Sequence, residues 1–180
     1  STFGLGGNGG VNFYKYSPQR ECFVGFDQAY AKTELTEAEF FDLLTRAASG
    51  AVPSLGDRFV GYFLQYKVVK EMRNWTRHTP SAILTRPHYR AELDTRKNAK
   101  TGLSQHELLF NLSKTLGAMV YYACPMLFDR SALYEIDVDL DTLRLADLNS
   151  CTSPYSDNES HFVYFDQVQS EPVWCSEPTQ

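Results

Sequence analysis

The stretch Phe59-Val60-Gly61-Tyr62-Phe63-Leu64-Gln65-Tyr66-Lys67-Val68-Val69 decides the fold. Its aromatic and branched residues predict a strand, and apolar side chains on both faces predict a central one. Side chains alternate along a strand, so Gln65 and Lys67 emerge on the same face. A lysine ending an apolar strand is costly to bury without an anion or a carboxylate nearby. Asp27 closes a similar run, Cys22-Phe23-Val24-Gly25-Phe26-Asp27. If the two strands are neighbours, an acid, an amide oxygen and an ammonium converge on one spot. Such a group can hold Mg²⁺ through oxygen ligands and place a cation beside the attacking water or the phosphate. Asp57 is the rival acid. An extended chain from Asp57 to Gln65 spans about 26 Å at roughly 3.3 Å per residue, too far to share a metal.

Outward from this strand, the pattern predicts strands at Val11–Tyr16 and Cys22–Tyr30, joined by a Ser17-Pro18-Gln19-Arg20 turn. A helix starts at Thr36, where Thr36 and Glu39 form a capping box, and its apolar stripe is Phe40, Phe41, Leu44, Ala47 and Ala48. Residues 70–87 show no strong period, and Tyr89–Leu93 reads as a strand. Ser104 and Glu107 make a second capping box before a Leu108, Leu109, Leu112, Leu116 stripe that Gly117 ends. Ala118–Cys124 is then a buried strand, and Arg144–Leu148 and His161–Phe165 are short ones. This order predicts an α/β (α+β) fold: one mixed central sheet flanked by helices. A single domain over 1–180 is expected, with a core at 11–128 and a short acidic, β-rich extension at 129–180. The glycines Gly4–Gly10 match a dinucleotide fingerprint literally but lack the preceding strand, so a flexible start is expected.

The net charge of -5 conceals a segregation. Residues 67–100 carry +6 and residues 129–180 carry -9. The basic segment suits anion binding and the acidic tail suits a protein partner. Arg73, Arg77, Arg86 and Arg90 surround Trp75 and Tyr89, a combination that can bind phosphates while rings stack on bases. Gln105 and His106 open a helix whose unsatisfied N–H groups can face a phosphate, and His106 is the best proton-transfer candidate near neutral pH. Asp137, Asp139 and Asp141 alternate with Ile136, Val138 and Leu140, as on an edge strand. An EF-hand reading fails because Thr142 and Leu148 stand where glycine and glutamate are needed. Cys22, Cys124, Cys151 and Cys175 show no C-x-x-C spacing, so a zinc site is not expected. Reduced thiols and the absence of an apolar leader predict a cytoplasmic protein, and Cys151 with Cys175 leaves one disulfide open. No apolar run reaches the roughly 18–20 residues of a membrane helix, which excludes that class.

Glu21-x-x-x-Gly25-Phe26-Asp27 followed by Phe63-Leu64-Gln65-Tyr66-Lys67 resembles the active-site signature of the PD-(D/E)XK nuclease superfamily, in the variant with glutamine at the second acid. The resemblance extends to His88-Tyr89-Arg90, Gln105-His106-Glu107-Leu108-Leu109 and Val120-Tyr121-Tyr122-Ala123-Cys124-Pro125, as in uncharacterised bacterial nuclease-like proteins. It implies a restriction-endonuclease-like core and Mg²⁺- or Mn²⁺-dependent hydrolysis of nucleic-acid phosphodiesters, in bacterial phage defence or a mobile element. By position it makes Asp27 the metal-binding acid, Gln65 the second ligand, Lys67 the water- or phosphate-orienting cation and Glu21 an upstream acid. Gln65 is neutral, which weakens divalent binding. The alternative is a catalytically inactive module of the same fold, a regulatory subunit that binds a protein through the acidic tail.

Overall fold

The computed structural model describes residues 2–4, 11–56, 60–76, 79–126, 128, 143–156, 159–168 and 171–177. Asp57, Arg77 and the Asp137–Asp141 repeat lie outside the described residues. The fold is mixed α+β with two sheets, where the sequence pattern predicted one. The strands are β1 (Thr2–Gly4), β2 (Asn12–Lys15), β3 (Gln28–Lys32), β4 (Val60–Tyr66), β5 (Val69–Met72), β6 (His88–Glu92), β7 (Ala118–Pro125), β8 (Leu143–Asp147), β9 (Ser160–Asp166) and β10 (Val173–Glu177). The helices are α1 (Pro18–Val24), α2 (Glu37–Ala48) and α3 (Gln105–Ser113). One sheet has the order β1-β2-β3-β4-β7-β8 and the other β10-β9-β6-β5. The chain divides into two compact units: residues 1–65, 94–121 and 147–157, and residues 66–93, 122–146 and 158–180. None of the described helices is long and apolar enough to cross a membrane.

In the first unit, β2, β3 and β4 form an antiparallel meander, with Tyr14 opposite Ala29 and Ala29 opposite Phe63. β7 runs parallel to β4. Gly61 N–H donates to the Gly117 carbonyl and Lys67 N–H to the Ala123 carbonyl, so both strands advance by the same six residues. The sheet is therefore mixed, as expected, and β4 is central. It is not apolar on both faces, however. Gly61, Phe63 and Gln65 are buried while Tyr62 and Tyr66 are exposed. The helices supply the inner face: Phe40, Leu44, Leu109 and Leu112 are fully buried, each worth about 1.5–3 kcal/mol of transfer free energy. Both capping boxes form as the pattern predicts.

The run Cys22–Tyr30 is not one strand. Pro18 occupies the first turn of α1, where its missing N–H costs nothing, and Gly25 ends the helix at φ 84°. The predicted turn is thus a helix start, and β3 begins only at Gln28. Likewise β4 ends at Tyr66, and Val69–Met72 forms a separate strand of the other sheet. At the chain start, Thr2–Gly4 pairs with β2 where a flexible segment was expected.

The second unit holds the antiparallel sheet β10-β9-β6-β5. Leu84, Phe162 and Tyr164 form its apolar cluster, with Val173 and Cys175 packed against it. Asp166, almost fully buried, accepts from the N–H and hydroxyl of Thr85 and from the N–H of Val168.

Candidate functional site

Gly25, Phe26 and Asp27 join α1 to β3. Phe26 is fully buried between Tyr16 and Phe63, with ring centroids at 5.7 and 4.9 Å. That anchor delivers Asp27 to the mouth of β3. There its N–H donates to the Leu64 carbonyl (3.0 Å) and its carbonyl accepts from the N–H of Tyr16 (3.4 Å). Because Gln28 lies opposite Leu64, the next position outward sets Asp27 opposite Gln65. Gln65 Nε2 donates to Asp27 Oδ2 at 2.8 Å. Two residues 38 apart in sequence, singled out by the strand pattern, are thus in contact on the helix-covered face. The amide offers its nitrogen, not its oxygen, to the acid.

Glu21 belongs to a different pair. Its Oε1 accepts from Gln105 Nε2 at 2.9 Å, linking α1 to the start of α3. The pair borders a cleft of about 200 Å³ also lined by Asp94, Arg96, Asn98 and Cys22. Asp27 and Gln65 do not line it. Gln105 is therefore occupied by a carboxylate instead of facing only solvent. Asp94, Arg96 and Asn98 were missed as site candidates, and their only sequence signal was a polar cluster immediately after a strand.

His106 is corrected outright. It is fully buried, so it cannot meet a polyanion at the surface. Its Nε2 lies 3.3 Å from the Ser153 carbonyl and 3.9 Å from Cys151 Sγ, and its ring stacks on Tyr155 at 5.3 Å. Burial pushes the Cys151 thiol up, against the opposing hydrogen bond to Ser153 and charge of Lys114, so it is no activated nucleophile. All four cysteines are thiols, and no disulfide joins Cys151 to Cys175.

In the second unit, Lys67 Nζ lies 5.1 Å from the centroid of the buried Tyr122 ring, a cation–π contact. Burial pushes the neighbouring Cys124 thiol up to about 12, with the Lys67 charge opposing. The three described arginines of this stretch each make a contact within the protein. Arg73 pairs with Glu71 at 2.6 Å, which holds its guanidinium protonated even more firmly than usual. Arg86 lies over Trp75 (5.3 Å), and Arg90 lies over Phe162 (4.4 Å). Trp75 also stacks on the fully buried His88 at 4.9 Å, and Tyr89 is buried between Phe128 and Phe165. Of the two rings expected to stack on bases, Tyr89 is thus buried, whereas Trp75, set against His88 and Arg86, stays 36% exposed.

Among the described residues, no three His, Cys, Asp or Glu side chains converge as a metal site. The available donor set for a hard cation is one carboxylate, Asp27, with the Gln65 amide. That set fits Mg²⁺, an ion commonly held by one or two carboxylates with water and substrate phosphate completing the shell, and the neutral Gln65 amide makes it a weak site. In comparison with known proteins, no family model, curated protein or solved structure matches the chain.

Proposed function

We propose that the first unit carries a metal-dependent phosphodiesterase site of the nuclease kind, with Asp27 and Gln65 at its centre. One observation carries the reading: the 2.8 Å contact between these two motif residues at the ends of adjacent strands. The mixed sheet with β4 at its middle supports the restriction-endonuclease-like core that the resemblance implies. Asp27 supplies the full negative charge. Gln65, held by Asp27, can present its carbonyl oxygen to the same cation after a half-turn of its amide. A bound Mg²⁺ would polarise a phosphoryl oxygen and acidify a coordinated water. Lys67, two residues beyond Gln65 in the chain, keeps the role that the strand pattern and the resemblance imply for it, that of the cation orienting water or phosphate. Glu21, hydrogen-bonded to Gln105, holds α1 to α3 and acts through the position of Gly25 and Asp27.

The same contact supports a second reading. A neutral amide donating to Asp27 satisfies that acid without a cation, as expected of an inactive module. Cleavage of single- and double-stranded DNA and RNA with Mg²⁺ or Mn²⁺ separates the two. The nuclease reading expects metal-dependent cleavage that Lys67→Ala abolishes. Equal cleavage by both proteins, or none by either, defeats it.

A further inference from the structure

Trp75 of the second unit is not alone in being exposed: the first unit also presents rings to solvent. The outer face of the first unit's sheet, opposite the helices, carries a ring on each of four neighbouring strands. Phe13 on β2 is register partner of Tyr30 on β3, and Tyr30 is partner of Tyr62 on β4. Tyr62 stacks with Tyr121 on β7, at 6.5 Å between centroids and 15° between planes. Phe13 and Tyr30 touch at 5.1 Å. The row crosses four adjacent strands, about 14 Å at roughly 4.8 Å per strand spacing. Tyr30 and Tyr62 are 38% and 45% exposed, so that two adjoining strands present rings to solvent.

Charge identifies the occupant. On the same outward face, Lys15 follows Phe13 and Lys32 follows Tyr30 by two residues. Both lysines are exposed and make no ion pair with any described residue. The remaining outward neighbours of the row on β3 and β4, Gln28 and Leu64, are not acidic. Among the described residues, the Asp147 carboxylate acts on Tyr121 at the β7 end of the row. Exposed rings with Lys15 on one side of the row and Lys32 on the other suit a strand of stacked bases whose phosphates reach these two lysines. An apolar protein partner would have to accommodate the two lysines beside the row, and lysine is depleted at the centres of protein interfaces.

We propose that the Phe13–Tyr30–Tyr62–Tyr121 row is a stacking platform for single-stranded nucleic acid, with Lys15 and Lys32 as its phosphate contacts. The platform is independent of the Asp27–Gln65 reading, since it lies on the opposite face of the sheet and needs no metal. The test is fluorescence anisotropy with labelled oligo-dT and oligo-U in EDTA, at 50 and 200 mM salt. Wild type should bind at the lower salt and more weakly at the higher. Tyr30→Ala/Tyr62→Ala should lose on the order of 10-fold or more in affinity, whereas Tyr30→Phe/Tyr62→Phe should keep it. Lys15→Gln/Lys32→Gln should reduce the logarithmic salt slope by about 0.7 per lysine. Unchanged circular dichroism of the alanine variant separates lost contact from lost fold. Absence of wild-type binding, or equal binding by the alanine variant, overturns the proposal. So does a concentration-dependent dimer abolished by Tyr62→Ala, which would give the face to a second copy of the chain.

Discussion

Gly25→Ala adds one methyl group at the joint that places Asp27, and the structure sets what that should cost. Gly25 has φ 84°, a region that an L side chain occupies at about 1–2 kcal/mol. A Cβ there would also lie 3.1 Å from Leu108 Cβ, 3.1 Å from Leu109 Cγ and 3.2 Å from the Gln105 carbonyl oxygen. These atoms belong to α3, whose leucines are fixed in the core, so relief requires moving the helix. Overpacking of this kind costs about 1–3 kcal/mol. The total is about 2–5 kcal/mol. Gly50→Ala is the control: its φ is 77°, but its Cβ would meet nothing closer than 3.9 Å. It should lose only the conformational part, about 1–2 kcal/mol. Urea unfolding followed at 222 nm reads the comparison, because α1, α2 and α3 all lie in the first unit. Equal losses in the two variants would refute the close approach of α1 and α3 at Gly25.

Tyr16 and His88 give two further tests. The Tyr16 hydroxyl is buried without a hydrogen-bond partner among the described residues, and burial pushes its pKa up. Tyr16→Phe should therefore stabilise the first unit by about 1 kcal/mol, seen as a melting temperature raised by about 2–4 °C; a lowered one would mean the hydroxyl is satisfied. Both His88 ring nitrogens are buried without a partner among the described residues. Burial first, then the charges of Arg90 and Arg86, push its pKa down against the pull of Asp166. The unfolded chain thus takes up the proton first. Stability is full above the ordinary histidine value of about 6.5 and falls as the pH drops below it. His88→Phe keeps the stack between Trp75 and Tyr164, so it should show a smaller loss between about pH 6.5 and 5. Tryptophan fluorescence reports this, because Trp75 and Trp174 both lie in the second unit. Parallel losses in the two proteins would show that His88 is not the group.

The local signals were the readable ones. Thr36 with Glu39 and Ser104 with Glu107 mark helix starts through bonds within four residues, and both boxes form. The meeting of Asp27 and Gln65 was legible because each ends an apolar run and because alternation leaves few faces. Cys22-Phe23-Val24 was misread because a short apolar run suits a strand and a helix turn equally; Pro18 and Gly25 decide it. The second sheet escaped because its pairings, Ala91 with Val163 for instance, join segments far apart in sequence. The burial of His106 depends on Cys151, Ser153 and Tyr155, which no local pattern connects to the start of α3. The tyrosine row was hidden in plain alternation, since exposure of Tyr30 and Tyr62 follows only once the helices are known to cover the other face.

The central claim is that Asp27 and Gln65 form a cation site. Manganese binding followed by electron paramagnetic resonance, on wild type and Asp27→Asn side by side, tests it without depending on a substrate. The account predicts one weak site in the wild type that Asp27→Asn removes, with the fold unchanged by circular dichroism. Wild type that binds no manganese at millimolar concentration, or an Asp27→Asn variant that binds it equally, would contradict it.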